Sequence, residues 1–193
     1  MPAPLTVQDS QPAVVRISIV AVFASLALAT NYALIGVPNV KLMDALVFVS
    51  AFLFGLTVGI GVAGSTWLVY GFINPHGSAD LVLLAFLIAG ESFYAFAGAV
   101  VRKTAIAQDL LGRRGPYARF SLVFGTVGLL ATVAYDVLTN FASWLFRASS
   151  LYESLVIGLI TGAPFALLHE VSNLIVFATA VPAGIIAAKR LTG

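Results

Sequence analysis

The sequence has no cysteine and very few charged residues. Only 9% of its 193 residues are charged, whereas about a quarter are charged in an ordinary soluble domain. Hydrophobic residues make up 60% of the chain and the mean hydropathy is +1.02, so we expect the chain to lie in a lipid bilayer. The lack of cysteine excludes disulfides, thiolate metal sites and cysteine nucleophiles. A net charge of +2 is too small to indicate a nucleic-acid partner.

Two kinds of sequence signal are missing: a secretory signal in residues 2–12 and a nucleotide-binding pattern anywhere in the sequence. Residues 2–12 lack the basic start and the small-residue cleavage pattern of a secretory signal. Apolar segments continue to the C-terminal end without a long polar interruption. We therefore expect a single integral membrane domain, residues 1–193, to be the mature protein. Because the phosphate-binding pattern G-x-x-x-x-G-K-[ST] is missing, any ATP hydrolysis has to come from partner proteins.

Apolar runs bounded by charge, proline or glycine predict six transmembrane helices. The predicted helices cover residues 16–36, 42–57, 59–73, 80–103, 120–147 and 164–188. The stretch Leu42–Ile73 is too long for one crossing, and Gly55 is the first of the glycines that predict a reversal near its middle. The block Leu151–Leu191 is also too long for one straight helix. Because proline is tolerated in a first helical turn, helix six is predicted to begin near Pro164, which leaves 151–162 as a short capping segment.

The basic residues favour a topology with both termini inside, because cytoplasmic loops collect lysine and arginine. Six crossings from an inner N-terminus place eight basic residues in the cytoplasm and two outside. The cytoplasmic residues are Arg16, Arg102, Lys103, Arg113, Arg114, Arg119, Lys189 and Arg190, and the outer ones are Lys41 and Arg147. Five or seven helices would move the basic 102–119 loop or the C-terminal pair to the wrong side. The predicted fold is an all-α bundle of six helices in the cell membrane.

Ionisable residues inside predicted spans are candidate functional groups, because they are costly in a bilayer. They are Glu91, Asp136, His169 and Glu170. Asp136, Asn140 and Trp144 recur every four residues on helix five, and Asn173 follows His169 at the same spacing on helix six, so each set shares one helical face. Their similar depth favours a polar cavity open to the outside, with its floor near Glu91. The alternative is hydrogen bonding between helices, such as Asp136 with His169, without any ligand.

The outer loops and the aromatic residues add further candidates. Asn39 and Lys41 follow helix one, whereas Asp44 is expected to cap helix two, where a carboxylate complements the helix dipole. Tyr94 and Trp144 are expected either to stack on a flat heterocycle or to anchor the helices at the interface. The predicted substrate-binding residues are Asn39, Lys41, Glu91, Tyr94, Asp136, Asn140, Trp144, His169 and Asn173. No catalytic residue, metal ligand or cofactor is predicted.

Small residues recur every four positions on helix one. They are Ala21, Ser25, Ala29 and Ala33. Such a stripe lets a second helix approach closely. It is predicted to be either a docking face for another membrane protein or a packing surface within the bundle.

Taken in order, these features resemble the substrate-binding S-components of energy-coupling factor (ECF) vitamin transporters. The stretch Asn39–Phe48, continuing to Phe54–Gly59, looks like their loop after helix one and the Phe-Gly turn that follows it. Pro164–Asn173 looks like the opening of helix six in several of them. The resemblance covers nearly the whole chain. It implies a non-enzymatic subunit that binds one micronutrient from outside and docks through helix one on a transmembrane coupling subunit driven by two cytoplasmic ATPases.

Two other classes remain as alternatives. Gly90-Glu91-Ser92-Phe93 and His169 occupy places comparable to the serine and histidine of a rhomboid-like intramembrane protease. Phe93 and Ser172 stand where that family has glycines. A stand-alone ion-coupled carrier would use a buried carboxylate as its proton relay, but a carrier usually needs two rocking halves. A purely structural membrane scaffold is a further alternative, although four intramembrane ionisable groups would be a costly way to build one.

Overall fold

A computed structural model of the chain describes residues 12–74 and 77–192. These residues form the helices α1 Ala13–Ala33, α2 Met43–Phe54, α3 Leu56–Tyr70, α4 Leu81–Val101, α5 Ala105–Gly112, α6 Tyr117–Trp144 and α7 Leu151–Thr192. No strand occurs in these ranges, so the prediction of an all-α protein is confirmed for them. Residues 2–11, in which no signal peptide is predicted, lie outside the described part.

Four of the helices, α1, α4, α6 and α7, are long and apolar enough to cross a membrane. The helices α2 and α3 are also apolar, but they are only 12 and 15 residues long. Many of the apolar side chains on the long helices face outward, as expected for a surface in contact with lipid. The chain therefore has the helices of an integral membrane protein.

The helices α2 and α3 form a hairpin that turns at Gly55. This residue has φ 100°, a left-handed conformation that glycine adopts without a steric penalty. The hairpin runs alongside α4: a Cβ at Gly71 would lie 2.7 Å from the Leu84 side chain, and at the other end Arg102 Nη1 donates to Leu53 O at 3.1 Å. The short helices therefore extend along most of the length of α4.

The structure differs from the sequence prediction in the last apolar block. One helix of 42 residues, α7, covers both the predicted capping segment 151–162 and the predicted helix six. Pro164 and Pro182 lie inside this helix, and neighbouring helices make such prolines tolerable in membrane proteins. Gly162 serves close packing instead of helix termination, because a Cβ there would collide with the side chain of Asn140 on α6.

The helices α6 and α7 form an antiparallel pair that contacts along most of its length. Gly125 faces Leu174 and Ala178, and a Cβ at Gly128 would collide with the Phe177 ring. The phenyl ring of Phe177 continues this contact to α2, where it meets the Phe48 ring at 5.2 Å in an edge-to-face arrangement. The small residues of α6 thus bring α7 close enough for their polar side chains to meet.

The connection between α4 and α6 contains a helix that the sequence analysis did not predict. It is α5, and its Ala107 and Leu110 are buried at a spacing of three residues, which forms one helical face. Lys189 Nζ on α7 donates to Leu111 O at 2.7 Å, so α5 lies against the C-terminal part of α7. We call this region, residues 102–119 together with Lys189 and Arg190, the basic end of the bundle.

The stripe of small residues on α1 lies on the surface. Ala21, Ser25, Ala29 and Ala33 are all exposed. The side of α1 that packs on the bundle contributes Ala24, Ala27 and Asn31 instead. Internal packing, one of the two expectations for the stripe, is therefore not what these four residues do in this structure.

Candidate substrate-binding site

A group of buried polar side chains joins four helices in the interior of the bundle. Its members are Asp44 from α2, Glu91 and Tyr94 from α4, Thr132 and Asp136 from α6, and His169 and Asn173 from α7. None of these residues is more than 5% exposed. We call this group the buried polar cluster. It brings together five of the nine predicted substrate-binding residues, Glu91, Tyr94, Asp136, His169 and Asn173, and adds Asp44 and Thr132.

His169 links two carboxyl groups of the cluster, Asp44 of α2 and Asp136 of α6. Its Nδ1 lies 2.9 Å from Asp136 Oδ1, and its Nε2 lies 2.7 Å from Asp44 Oδ2. An imidazolium can donate from both nitrogens at once, and carboxylate oxygens only accept. The Tyr135 ring packs edge-on against the imidazole with centroids 5.6 Å apart, which holds the ring in this orientation.

Asn173 connects Asp44 to the hydroxyl groups of the cluster. Its Nδ2 lies 2.7 Å from Asp44 Oδ2 and 2.8 Å from Thr132 Oγ1. The Tyr94 hydroxyl is 3.2 Å from the same nitrogen and donates to Thr132 Oγ1 at 2.9 Å. Because the Asp44 carboxylate needs a donor, the amide nitrogen of Asn173 has to face it, and the amide oxygen points elsewhere.

Glu91 is fully buried and makes one hydrogen bond to the described residues. Its Oε2 accepts from the indole nitrogen of Trp67 at 3.2 Å. Lys41 Nζ lies over the face of that indole, 5.3 Å from the ring centroid, a distance at which a cation is attracted to the ring. The half-buried Lys41 is thus connected through Trp67 to the fully buried Glu91.

Three oxygen atoms of the cluster are buried and have no hydrogen-bond partner among the described residues. They are Glu91 Oε1, Asp136 Oδ2 and Asn173 Oδ1, and we call them the unpartnered acceptors. A buried polar group without a partner costs about 1–3 kcal/mol, and more when it is charged. All three atoms accept hydrogen bonds if the carboxyl groups are ionised, so the group that would satisfy them has to be a donor. The cluster is short of donors.

The charges of the cluster show the same imbalance. It contains three carboxyl groups that can become negative, from Asp44, Glu91 and Asp136, and only His169 can carry a positive charge within it. Lys41 is the one further cation that packs on this site in the described part of the chain. A buried charge is stable only when it is paired, so the site suits a cation or a molecule with several N–H or O–H groups.

The loop between α1 and α2 lies over the end of the cluster that faces away from the basic end. Asn39 Nδ2 donates to Phe165 O at 3.1 Å, one helical turn before His169. Asn39 itself has φ 55°, a left-handed conformation in which asparagine is enriched. Together with Lys41 on Trp67, this contact lays the loop across α3 and α7. Asn39 and Lys41 are therefore at the edge of the cluster.

Asn140 and Trp144 do not join the cluster. Asn140 lies against Gly158 and Gly162 of α7, and Trp144 Nε1 donates to Thr161 Oγ1 at 3.1 Å. Each four-residue step moves a side chain about 6 Å along a helix. Asn140 and Trp144 therefore meet α7 nearer to its N-terminal end than His169. We call them the outer packing contacts. They contact the segment 151–162 of α7, which the sequence analysis had separated from the last helix.

The cavity open to the outside was one of two expectations for these residues. The structure contains the hydrogen bond that the other expectation named, between Asp136 and His169. Glu170, the fourth candidate, is half-buried and is not a member of the cluster. Access to the cluster therefore requires a movement of the residues that cover it.

The serine–histidine contact of the protease alternative is not formed in this structure. Ser92 Oγ donates to the backbone oxygen of Ile88 at 2.8 Å. Both nitrogens of His169 are engaged by carboxylates. A serine nucleophile needs its base within hydrogen-bond reach, so Ser92 is not activated by His169 here.

Two participants in the site were missed by the sequence analysis. Asp44 was expected to cap α2, but the N-cap position is Leu42 and the Asp44 side chain faces His169 and Asn173. Thr132 carries a signal that could have been used, because it precedes Asp136 by four residues and so shares its face of α6. For Asp44 the signal is weaker: a lone carboxylate opens an otherwise uncharged apolar stretch.

No group of three or more potential ligands in the described residues is arranged to hold a metal ion. Comparisons of the chain with protein-family models, with curated proteins and with solved structures found no match. The interpretation of the site therefore rests on its geometry and chemistry.

Proposed function

We propose that this chain is the substrate-binding subunit of an ATP-driven uptake transporter for a small, vitamin-like micronutrient, and that the buried polar cluster holds the ligand. The observation that carries the proposal is the set of three unpartnered acceptors beside buried carboxylates. A protein that used these groups only to join its helices would gain by pairing or omitting them. A ligand that donates hydrogen bonds supplies what they lack.

The chemistry of the cluster defines the class of substrate. Three carboxylates and an amide oxygen favour a cationic or donor-rich molecule. The rings of Tyr94, Tyr135 and Trp67 border the same groups, and aromatic faces attract cations and stack on flat heterocycles. A small nitrogen heterocycle that carries a positive charge or several N–H groups fits both properties.

The topology in this proposal has six crossings. The α2–α3 hairpin runs along α4 from Leu84 to Arg102, so it can add two short crossings to the four long helices. The positive-inside rule would then place the basic end in the cytoplasm of a cell membrane. The loop that carries Asn39 and Lys41 would face outward and act as the entry route to the cluster.

Energy for uptake would come from partner proteins in this proposal. The exposed stripe of Ala21, Ser25, Ala29 and Ala33 is a flat surface on which a helix of a coupling subunit can pack closely. Two cytoplasmic ATPases would drive that subunit, as the resemblance to ECF S-components implies. The chain itself would bind and release the substrate without a cofactor.

A stand-alone ion-coupled carrier is the second candidate. Asp44, His169 and Asp136 form a continuous hydrogen-bonded chain of titratable groups, which is the arrangement of a proton relay. The two candidates differ in their energy source. Uptake into vesicles that contain only this protein and a pH gradient supports the carrier, whereas uptake that needs the coupling subunit and ATP supports the transporter subunit.

The test of the proposal is a thermal-shift screen of the purified protein against water-soluble vitamins and related nitrogen heterocycles. A compound that binds only the folded state raises the melting temperature by mass action. We expect at least one cationic or donor-rich compound to stabilise the wild-type protein and the Trp144→Phe control. It should not stabilise Asp136→Asn, which removes a charge from the cluster.

Two results would contradict the assignment. If no compound of this class shifts the melting temperature, the cluster has lost its support as a ligand site. If a compound stabilises Asp136→Asn as strongly as it stabilises Trp144→Phe, the ligand binds elsewhere.

A further inference from the structure

A cavity lies at the basic end of the bundle, far from the buried polar cluster. It has a volume of about 270 Å³ and is lined by residues of α5 and of the C-terminal part of α7, namely Leu110, Leu111, Arg113, Ile186, Lys189 and Arg190. A single water molecule needs only about 10–15 Å³ of such space. The cavity is therefore large enough for a polar group of many atoms.

The walls of this cavity are divided by chemistry. Leu110 is fully buried and Leu111 and Ile186 are half-buried, which makes one wall apolar. Arg113 and Arg190 are exposed and make the other wall positive together with Lys189. The contact from Lys189 Nζ to Leu111 O, at 2.7 Å, fixes the two walls to each other. The cavity therefore lies between two helices and has one apolar wall and one positively charged wall.

Three of the described residues that line the cavity are cations, namely Arg113, Lys189 and Arg190. None of the described residues that line it is acidic. The nearest acid along α5 is Asp109, and Arg119 Nη1 holds its Oδ2 at 2.9 Å. Arg113 ends α5 in a left-handed conformation with φ 53°, which bends the chain there and leaves this side chain on the cavity wall.

We infer that this cavity binds the phosphate headgroup of an anionic membrane lipid. Arginine and lysine recognise phosphate oxygens, and basic pockets between helices at a membrane surface bind such headgroups. The apolar wall of Leu110, Leu111 and Ile186 suits the first acyl carbons of a lipid, which a free phosphate compound lacks. The inference uses none of the residues of the buried polar cluster, so it does not depend on the proposed substrate.

The experiment measures lipid binding to the full-length protein in a non-ionic detergent by native mass spectrometry. Phosphatidylglycerol and phosphatidylcholine with identical acyl chains are titrated separately, because they differ in net headgroup charge. We expect the protein to bind phosphatidylglycerol at least about tenfold more tightly, since each cation near a membrane surface contributes about fivefold. Equal affinity for the two lipids would overturn the inference without any mutant.

Two double variants then locate the site. Arg113→Gln with Arg190→Gln removes two cations of the cavity, and we expect phosphatidylglycerol to bind about 30-fold more weakly. Lys103→Gln with Arg114→Gln removes the same charge from the same end of the bundle outside the cavity, and binding should change by less than about twofold. An equal loss in both variants would mean that the lipid responds only to overall charge, which contradicts a site in the cavity.

A competition experiment separates a lipid from a soluble phosphate compound. Inorganic phosphate and glycerol 3-phosphate are added to the protein with bound phosphatidylglycerol. We expect neither to displace the lipid at a concentration equal to that of the lipid, because neither has acyl carbons to pack on the apolar wall. Displacement at equal concentration would assign the cavity to a soluble phosphate ligand and overturn the lipid assignment.

Discussion

The polar residues that α6 and α7 share fall into two groups with different properties. In the outer packing contacts, Asn140 fits against two glycines of α7 and Trp144 donates to Thr161. In the buried polar cluster, the same two helices bring together Asp136, His169 and Asn173 and leave oxygen atoms without partners among the described residues. The spacing along α6 puts both groups on one face, so spacing alone does not separate packing from binding. The unpartnered acceptors are what distinguish the buried polar cluster from the outer packing contacts.

The largest effect on stability is expected from His169→Ala in the cluster. This change leaves Asp44 and Asp136 as buried carboxylates without their shared donor, and breaking a buried charge pair costs about 3–5 kcal/mol. Reversible unfolding in mixed micelles, followed by circular dichroism, measures the loss. Trp144→Phe is the control in the outer packing contacts, where one lost hydrogen bond costs about 0.5–1.5 kcal/mol. Equal losses would remove the distinction between the two groups.

The next largest effect is expected from Gly162→Ala in the outer packing contacts. An added Cβ collides with the Asn140 side chain, and such overpacking costs about 1–3 kcal/mol. Gly184→Ala is the matched control on the same helix, because nothing lies within 4 Å of a Cβ there, and it should be neutral or slightly stabilising. Both variants should bind the ligand with wild-type affinity once folded. A loss of affinity in Gly162→Ala would extend the binding site to the outer packing contacts.

A smaller effect on stability and a clear effect on binding are expected from Glu91→Gln. The amide oxygen can still accept from Trp67, so the free energy of unfolding should change by less than about 1 kcal/mol. The amide cannot ionise, so a cationic ligand loses a charge-assisted hydrogen bond and should bind at least about tenfold more weakly. Equilibrium dialysis with the compound from the screen measures this. A variant that binds as tightly as the wild type would show that Glu91 does not touch the ligand.

The smallest effect on stability is expected on α1, which belongs to neither group. Ala29→Leu with Ala33→Leu adds side chains to an exposed face, so unfolding and ligand binding should change by less than about 0.5 kcal/mol. In the proposed function the same variant should fail to assemble with the coupling subunit in a pull-down from co-expressing membranes. Ala24→Leu, on the buried side of α1, is the control that should lose stability. Normal assembly of the double variant would remove the stripe as a docking face.

Most residues of the buried polar cluster could be identified from the sequence, but the contacts between helices that bring them together could not. Glu91, Asp136, His169 and Asn173 could be found because ionisable and amide side chains are conspicuous in apolar helices. The role of Asp44 could not be predicted from the sequence. A carboxylate in a first helical turn has an equally good local explanation as a partner of the helix dipole. Only the approach of α7 to α2 decides between the two, and this approach is a property of the whole bundle.

The course of the last helix shows a second limit of the sequence. Gly162 and Pro164 predict a break when they are considered alone, but α7 continues through both residues to a length of about 63 Å. The contact of Gly162 with Asn140 on another helix explains the glycine, and no local pattern contains that information. Gly55 is the opposite case: the turn it forms depends on its own backbone freedom, and the sequence predicted a reversal close to it, between residues 57 and 59.

A structure of the protein with the compound that stabilises it most would test the central claim directly. The account predicts that N–H or O–H groups of the ligand lie within hydrogen-bond distance of Glu91 Oε1, Asp136 Oδ2 and Asn173 Oδ1, with the loop around Asn39 closed over them. A ligand bound at another place, with these three oxygens in the same environment as in the free protein, would contradict it.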